Sequence, residues 1–272
     1  MTYRFAAAAL LAALLAAQAT ATRATTLLFA TDTDTDSLYS VDPDTGAASL
    51  IGPLGLGANV SNLAFAPDGT LYGTGGLNNQ LVTIDPATGA ATVVGRLDPE
   101  LTGLAFIGNT LYGTSFFPDQ LVTIATATAA ATDVGSLGID IVFGLAADAG
   151  GSLFSTDFFA DELFSVNPET GAASVIGSLR PTPTTDTALA NLTFAPDGTL
   201  FATDFLTNRL VTVDPATGAL TDVGPLGPPG NIDGLAAAPE GFGVIPLPAA
   251  GWLLLSGLGA LAAFGRRRRQ PA

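Results

Sequence analysis

Short apolar runs recur along the middle of the chain, and each is stopped by a cluster of Gly, Pro, Asp or Asn. Leu81-Val82-Thr83-Ile84 and Leu210-Val211-Thr212-Val213 are rich in β-branched residues and alternate with period two, as half-buried strands do. Asp-Pro-x-Thr-Gly follows such runs and reads as a turn. Pro fixes φ, Asp bonds the backbone ahead of it, and Gly accepts positive φ. A second turn, Pro67-Asp68-Gly69, returns as Pro196-Asp197-Gly198. Between these turns the pattern predicts four short strands in one unit, over 63–66, 71–74, 81–85 and 90–95.

That unit occurs five times. The copies begin at Leu28-Phe29-Ala30-Thr31, Leu71-Tyr72-Gly73-Thr74, Leu111-Tyr112-Gly113-Thr114, Leu153-Phe154-Ser155-Thr156 and Leu200-Phe201-Ala202-Thr203. Fourteen residues after each Leu stand Asp42, Asp85, Ala125, Asn167 and Asp214. The third copy has lost its turn chemistry, since Ala125-Thr126-Ala127-Thr128-Ala129 replaces Asp-Pro-x-Thr-Gly. A period of about 42 residues with four strands per period predicts an all-β propeller of five blades. The first copy lacks its innermost strand. Leu235-Ala236-Ala237-Ala238, which matches Leu63-Ala64-Phe65-Ala66, supplies it from the far end. The ring is therefore expected to close by pairing strand 235–238 inside blade one. A two-sheet sandwich or an open solenoid leaves that permuted strand unexplained. The strand–turn unit resembles the hairpin of quinoprotein-type and related secreted propeller repeats. The blade-capping Trp of quinoprotein repeats is absent, Trp252 being the sole Trp, so pyrroloquinoline quinone is not carried over.

The two ends follow another pattern. Residues 1–21 read as a signal peptide, with Arg4 ahead of a thirteen-residue apolar run from Phe5 to Ala17 and small-x-small cleavage positions after it. The propeller is expected over 22–243. Residues 244–272 begin with Ile245-Pro246-Leu247-Pro248-Ala249, pass through an apolar stretch of transmembrane length, and end in Arg266, Arg267, Arg268 and Arg269 before the last three residues. This order of short motif, helix and Arg cluster resembles the PEP-CTERM sorting signal, in its Val-Pro-Leu-Pro-Ala variant, of bacterial proteins processed by exosortases. The resemblance implies export, membrane attachment through the C-terminal helix, cleavage near the motif by an exosortase-like enzyme, and a final place at or outside the cell surface. An ordinary C-terminal membrane anchor is the competing reading.

Composition then removes chemistry. The 272 residues contain no Cys, no His and no Lys. Thiolate and imidazole metal sites, Ser-His-Asp triads, P-loops and Schiff-base lysines are thereby excluded. All 24 carboxylates lie between Asp32 and Glu240. Against the four arginines of 22–243, they give that segment a net charge of −20. Nucleic acid is not an expected partner of such a field, whereas divalent cations are attracted to it.

Three features of the loop face offer chemistry. Asp32, Asp34 and Asp36 alternate in one loop and can converge on Ca²⁺, although Ser37 and Pro43 stand where an EF-hand needs Gly and Glu. A solvated acidic tip is the plainer reading. Asp32, Asp157 and Asp204 end the second strand in three blades, where they can face the axis or cap their own loop amides. Phe116-Phe117, Phe158-Phe159 and Phe205-Leu206 occupy matching tips, where they form an exposed binding patch or pack against one another. The leading expectation is a non-catalytic exported propeller that binds an extracellular partner, polysaccharide or surface protein, with Ca²⁺ as the only cofactor in view. The alternatives are a carboxylate-only carbohydrate-active enzyme built on Asp32, Asp157 and Asp204, and an inert structural surface protein.

Overall fold

Turn chemistry at fixed spacing builds a ring of four-stranded blades. The computed structural model describes residues 26–242 apart from 58, 76–78, 116, 140–141, 158–159, 181–186 and 228–230. The two end segments, where a signal peptide and a sorting signal with residues 245–249 and Arg266 to Arg269 are expected, lie outside the described residues. No helix among the described residues is long and apolar enough to cross a membrane.

Blade one contains β1 (Leu28–Asp32), β2 (Ser37–Val41) and β3 (Ala48–Pro53). Blade two is β4 (Val60–Phe65), β5 (Leu71–Gly75), β6 (Gln80–Ile84) and β7 (Ala91–Arg96). Blade three is β8 (Gly103–Ile107), β9 (Thr110–Ser115), β10 (Gln120–Ile124) and β11 (Ala131–Ser136). Blade four is β12 (Val142–Ala147), β13 (Leu153–Asp157), β14 (Glu162–Val166) and β15 (Ala173–Ser178). Blade five is β16 (Leu189–Phe194), β17 (Leu200–Asp204), β18 (Arg209–Val213) and β19 (Leu220–Pro225). The last strand, β20 (Ile232–Ala237), pairs antiparallel with β1 and completes blade one in the order β20-β1-β2-β3. The expected closure is observed, and it removes the open sheet edge.

The repeated leucines hold the blades together. Leu28, Leu71, Leu111, Leu153 and Leu200 stand at or one residue inside the start of the second strand of each blade and are at most 1% exposed. Leu38, Leu81, Leu121, Leu163 and Leu210 in the third strands are fully buried. The hydrophobic core is split into five clusters, each shared by two adjacent blades; one joins Phe29 and Leu38 of blade one to Leu63 and Leu71 of blade two. Stability therefore resides between blades, where each strand face meets its neighbour.

The outer pair of every blade carries a register shift next to a glycine of the fourth strand, as between Leu38/Tyr39 beside Gly52 and Leu210/Val211 beside Gly224. Those glycines meet the next blade. A Cβ on Gly52, Gly135 or Gly177 would come within 2.2 Å of the carbonyl oxygen of Thr88, Thr170 or Thr217 respectively. The degenerate third turn is retained. Ala129 takes the glycine position at φ 62°, and its amide donates to the Ala125 carbonyl at 2.8 Å.

Candidate functional site

The loops between second and third strands share one face with the connections between blades. The Asp-Pro-x-Thr-Gly and Pro-Asp-Gly turns occupy the opposite face. On the loop face the innermost strands of four blades begin three residues before the repeated Leu, so β4 starts at Val60 rather than at the expected Leu63, while β8 of blade three begins at Gly103, one residue before Leu104. The added residues carry the irregularity. Pairing of the innermost strand skips Ser61 in blade two, Ala190 in blade five and Asp233 in blade one. A bulge re-aims the side chain at its centre. Ser61, Ala190 and Asp233, with Thr102 and Phe143 at the equivalent places in blades three and four, line a cavity of about 290 Å³ on the axis. Glu100, Asn62, Asn191, Leu101 and Phe205 complete its wall. One position in a repeated strand thus carries five different residues, which is how a regular ring becomes a particular site.

Two amides brace this mouth. Asn191 is buried, and its Nδ2 donates to the Ser61 carbonyl at 2.8 Å and also to the Asp233 carbonyl, tying blade five to blades two and one. Asn62 Nδ2 donates to Thr74 Oγ1 at 2.8 Å and to the Leu101 carbonyl at 3.2 Å. Burial pushes the Asp233 carboxyl above the ordinary carboxylate range. A hydrogen bond from the Thr33 side chain opposes the shift, while the charges of Asp32 and Asp34 add to it.

The carboxylates singled out from the sequence do other work. Asp32 is 1% exposed; its Oδ1 accepts from the Thr35 amide at 2.8 Å and from Thr35 Oγ1 at 3.0 Å, and its Oδ2 from the Asn231 amide at 3.2 Å. Asp157 Oδ1 accepts from the Ala160 amide at 2.8 Å. Asp204 Oδ1 accepts from the Leu206 amide at 3.0 Å, and its Oδ2 from Thr207 Oγ1 at 2.7 Å. Each closes its own loop tip, and none lines the axial cavity. The expected Ca²⁺ cluster is not assembled. Asp34 Oδ1 accepts from Asn231 Nδ2 at 3.2 Å, so it shares Asn231 with Asp32, whereas Asp36 Oδ2 turns to the Gly57 amide at 2.8 Å. Among the described residues no three acidic side chains come together as metal ligands.

The aromatic tips are partly described. Phe117 is 84% exposed, Phe205 42% and Leu206 58%. Phe116, Phe158 and Phe159 lie outside the described residues. The sequence reading missed one further signal. Asp36, Asn79, Asp119, Asp161 and Asn208 end the five loop tips, each eighteen residues before a buried Leu. Asn79 Nδ2 donates to the Leu97 carbonyl at 2.9 Å, and Asp161 accepts from Arg180 Nε at 2.7 Å and from Thr187 Oγ1 at 3.0 Å. These residues tie each tip to the connection leaving the same blade, and their constant spacing was legible.

No protein-family model and no curated protein matches the chain. Solved structures do. A chain of a nidogen/laminin complex is 16% identical over 78% of this chain and 98% of its own length, with a TM-score of 0.57. A symmetrical protein of de novo evolutionary origin is 20% identical over 79% of this chain and all of its own, with a TM-score of 0.56. A structural-genomics protein of unknown function from Bacteroides thetaiotaomicron is 17% identical over 73% of this chain and 55% of its own, with a TM-score of 0.52. These likenesses establish the propeller fold.

Proposed function

We propose that this chain is an exported, non-catalytic propeller that binds an extracellular partner, a matrix polysaccharide or a surface protein, through its loop face. The observation that carries the reading is the exposure of Phe117, Phe205 and Leu206 at the tips of blades three and five, with Phe205 also lining the axial mouth. Apolar side chains held in water at loop tips lower the free energy of a complex that covers them. The signal-peptide pattern of 1–21 and the sorting pattern of 244–272 support export, attachment through the C-terminal segment, and processing by an exosortase-like enzyme at 245–249. Asp32, Asp157 and Asp204, on which a carboxylate-only glycosidase would be built, do not line the axial mouth, whose wall carries Glu100 and Asp233 instead.

The test is size-exclusion chromatography of the purified protein with exopolysaccharide from the producing cell. Co-elution with intact polymer, lost in a Phe117→Ser/Phe205→Ser variant, is the expected result. Shortened polymer would overturn the non-catalytic reading. Unchanged elution of both components would remove polysaccharide and leave a surface protein as the partner.

A further inference from the structure

The opposite face holds a larger cavity. The turns that join first to second strands surround an opening of about 820 Å³ at the other end of the axis. Its wall is apolar. Phe65, Phe106, Phe154 and Phe194 line it from four blades, each half-buried. Phe154 and Phe194 meet edge to face across a blade boundary at 5.2 Å, which holds the wall in place without covering it.

The rim of this funnel is acidic. Asp148 and Glu240 line it directly, and Asp68 and Asp197 stand in the turns whose Pro67 and Pro196 line it. Asp68 is fully ionised at neutral pH, because hydrogen bonds from Thr70 hold its carboxyl below the ordinary range. The described arginines are all elsewhere. Arg96 ends β7, Arg180 follows β15 and Arg209 opens β18, which places every one at the loop-face end of its strand. Four carboxylates therefore surround a phenylalanine wall with no basic residue on that face among the described residues. The potential there is negative and only screened by solvent ions.

We propose that the turn-face funnel docks a cationic segment of a partner protein that carries an apolar side chain between its basic residues. The apolar side chain seats against Phe65, Phe106, Phe154 and Phe194, and the basic side chains meet Asp68, Asp148, Asp197 and Glu240. A cavity of this size admits several side chains at once. This site is independent of loop-face binding, so the ring can hold one partner on each face.

The experiment uses the full chain in non-ionic detergent and fluorescence anisotropy of a labelled Arg-Leu-Arg-Phe-Arg peptide. Binding that weakens with added salt is expected, together with no binding of the charge-reversed Glu-Leu-Glu-Phe-Glu peptide or of an Arg-Ser-Arg-Ser-Arg peptide. The combined variant Asp68→Asn/Asp148→Asn/Asp197→Asn/Glu240→Gln retains acceptor oxygens for the turns and is expected to bind about tenfold more weakly, since four solvent-screened pairs are lost. Its melting temperature checks that it folds. No binding of the basic peptide at millimolar concentration, equal binding by the rim variant, or loss of binding in Phe117→Ser would each overturn the proposal, the last by placing the peptide on the loop face.

Discussion

Gly224, in the outermost strand of blade five, lies against the carbonyl oxygen of Thr45 in the outer turn of blade one, so closely that a Cβ would stand 2.1 Å from it. Gly46, beside Thr45, faces Gly224 in return at φ 77°, with its own added Cβ 2.6 Å from the Gly224 carbonyl oxygen. The ring thus closes twice: on the inside by pairing β20 with β1, and at the rim by this backbone contact. The same contact repeats at the other four blade boundaries, with Gly95 against Thr128 in the boundary served by the degenerate turn.

Gly224→Ala is expected to destabilise the fold by about 2–3 kcal/mol, because the obstructing atom is backbone and cannot rotate away. Chemical denaturation of the variant measures it. Gly198→Ala is the control for backbone strain alone, since φ there is 88° and its Cβ would meet nothing within 4 Å. A smaller loss at Gly224 than at Gly198 would show that the blades separate freely at the rim.

Restoring the third turn is expected to stabilise. In blade one, Asp42 Oδ1 accepts from the Asp44 amide at 2.9 Å and from the Thr45 amide at 3.0 Å. Ala125 is exposed and occupies the matching place without an acceptor. Ala125→Asp with Thr126→Pro adds that bond and removes freedom from the unfolded chain, together worth about 1–2 kcal/mol. A thermal melt that moves down would indicate a backbone in this copy unlike the other four.

Asp233→Asn is expected to raise stability at pH 7 and to leave it unchanged at pH 3. Burial raises the folded-state value of this carboxyl above 3.8, so the folded chain holds its proton where the unfolded chain has released it. Stability is lost as pH rises from the ordinary carboxylate value through the raised one, and neutral asparagine avoids that loss. Melting temperatures of the two proteins between pH 3 and 7 test it. Parallel curves would mean that Asp233 titrates as an exposed acid.

Asp161→Ala is expected to cost about 3 kcal/mol. Asp161 is 3% exposed and holds both Arg180 and Thr187, so its removal strands their donors at the connection between blades four and five. Denaturant midpoints quantify the loss. The exposed Arg209–Asp222 pair is the contrast: Asp222→Ala is expected to leave the denaturant midpoint nearly unchanged.

Strand existence, blade number and closure were legible in the residues because their causes are local. A β-branched run, an Asp-Pro turn or a positive-φ glycine acts over a few positions, and the repetition of Leu71 to Thr74 in Leu200 to Thr203 multiplies one local signal five times. Closure followed by counting, since Leu235 to Ala238 had only blade one to complete. What the residues left open was direction. Asp32, Asp157 and Asp204 could face the axis or cap their loop amides, and the amides of their own loops take their oxygens. The turn face read as regular scaffold, yet it encloses a cavity of about 820 Å³ on which four phenylalanines converge.

The sequence by itself determined that this chain makes five similar blades, that the last strand belongs to the first blade, and that chemistry requiring His, Cys or Lys is absent from it. Tertiary structure decided which side chains meet on the axis. Ser61, Ala190 and Asp233 reach the mouth through bulges that break strand alternation, and Phe65, Phe106, Phe154 and Phe194 share one cavity although they come from four different blades. Alternation is a property of one strand, whereas a site on the axis depends on the twist, register and bulge of five strands at once.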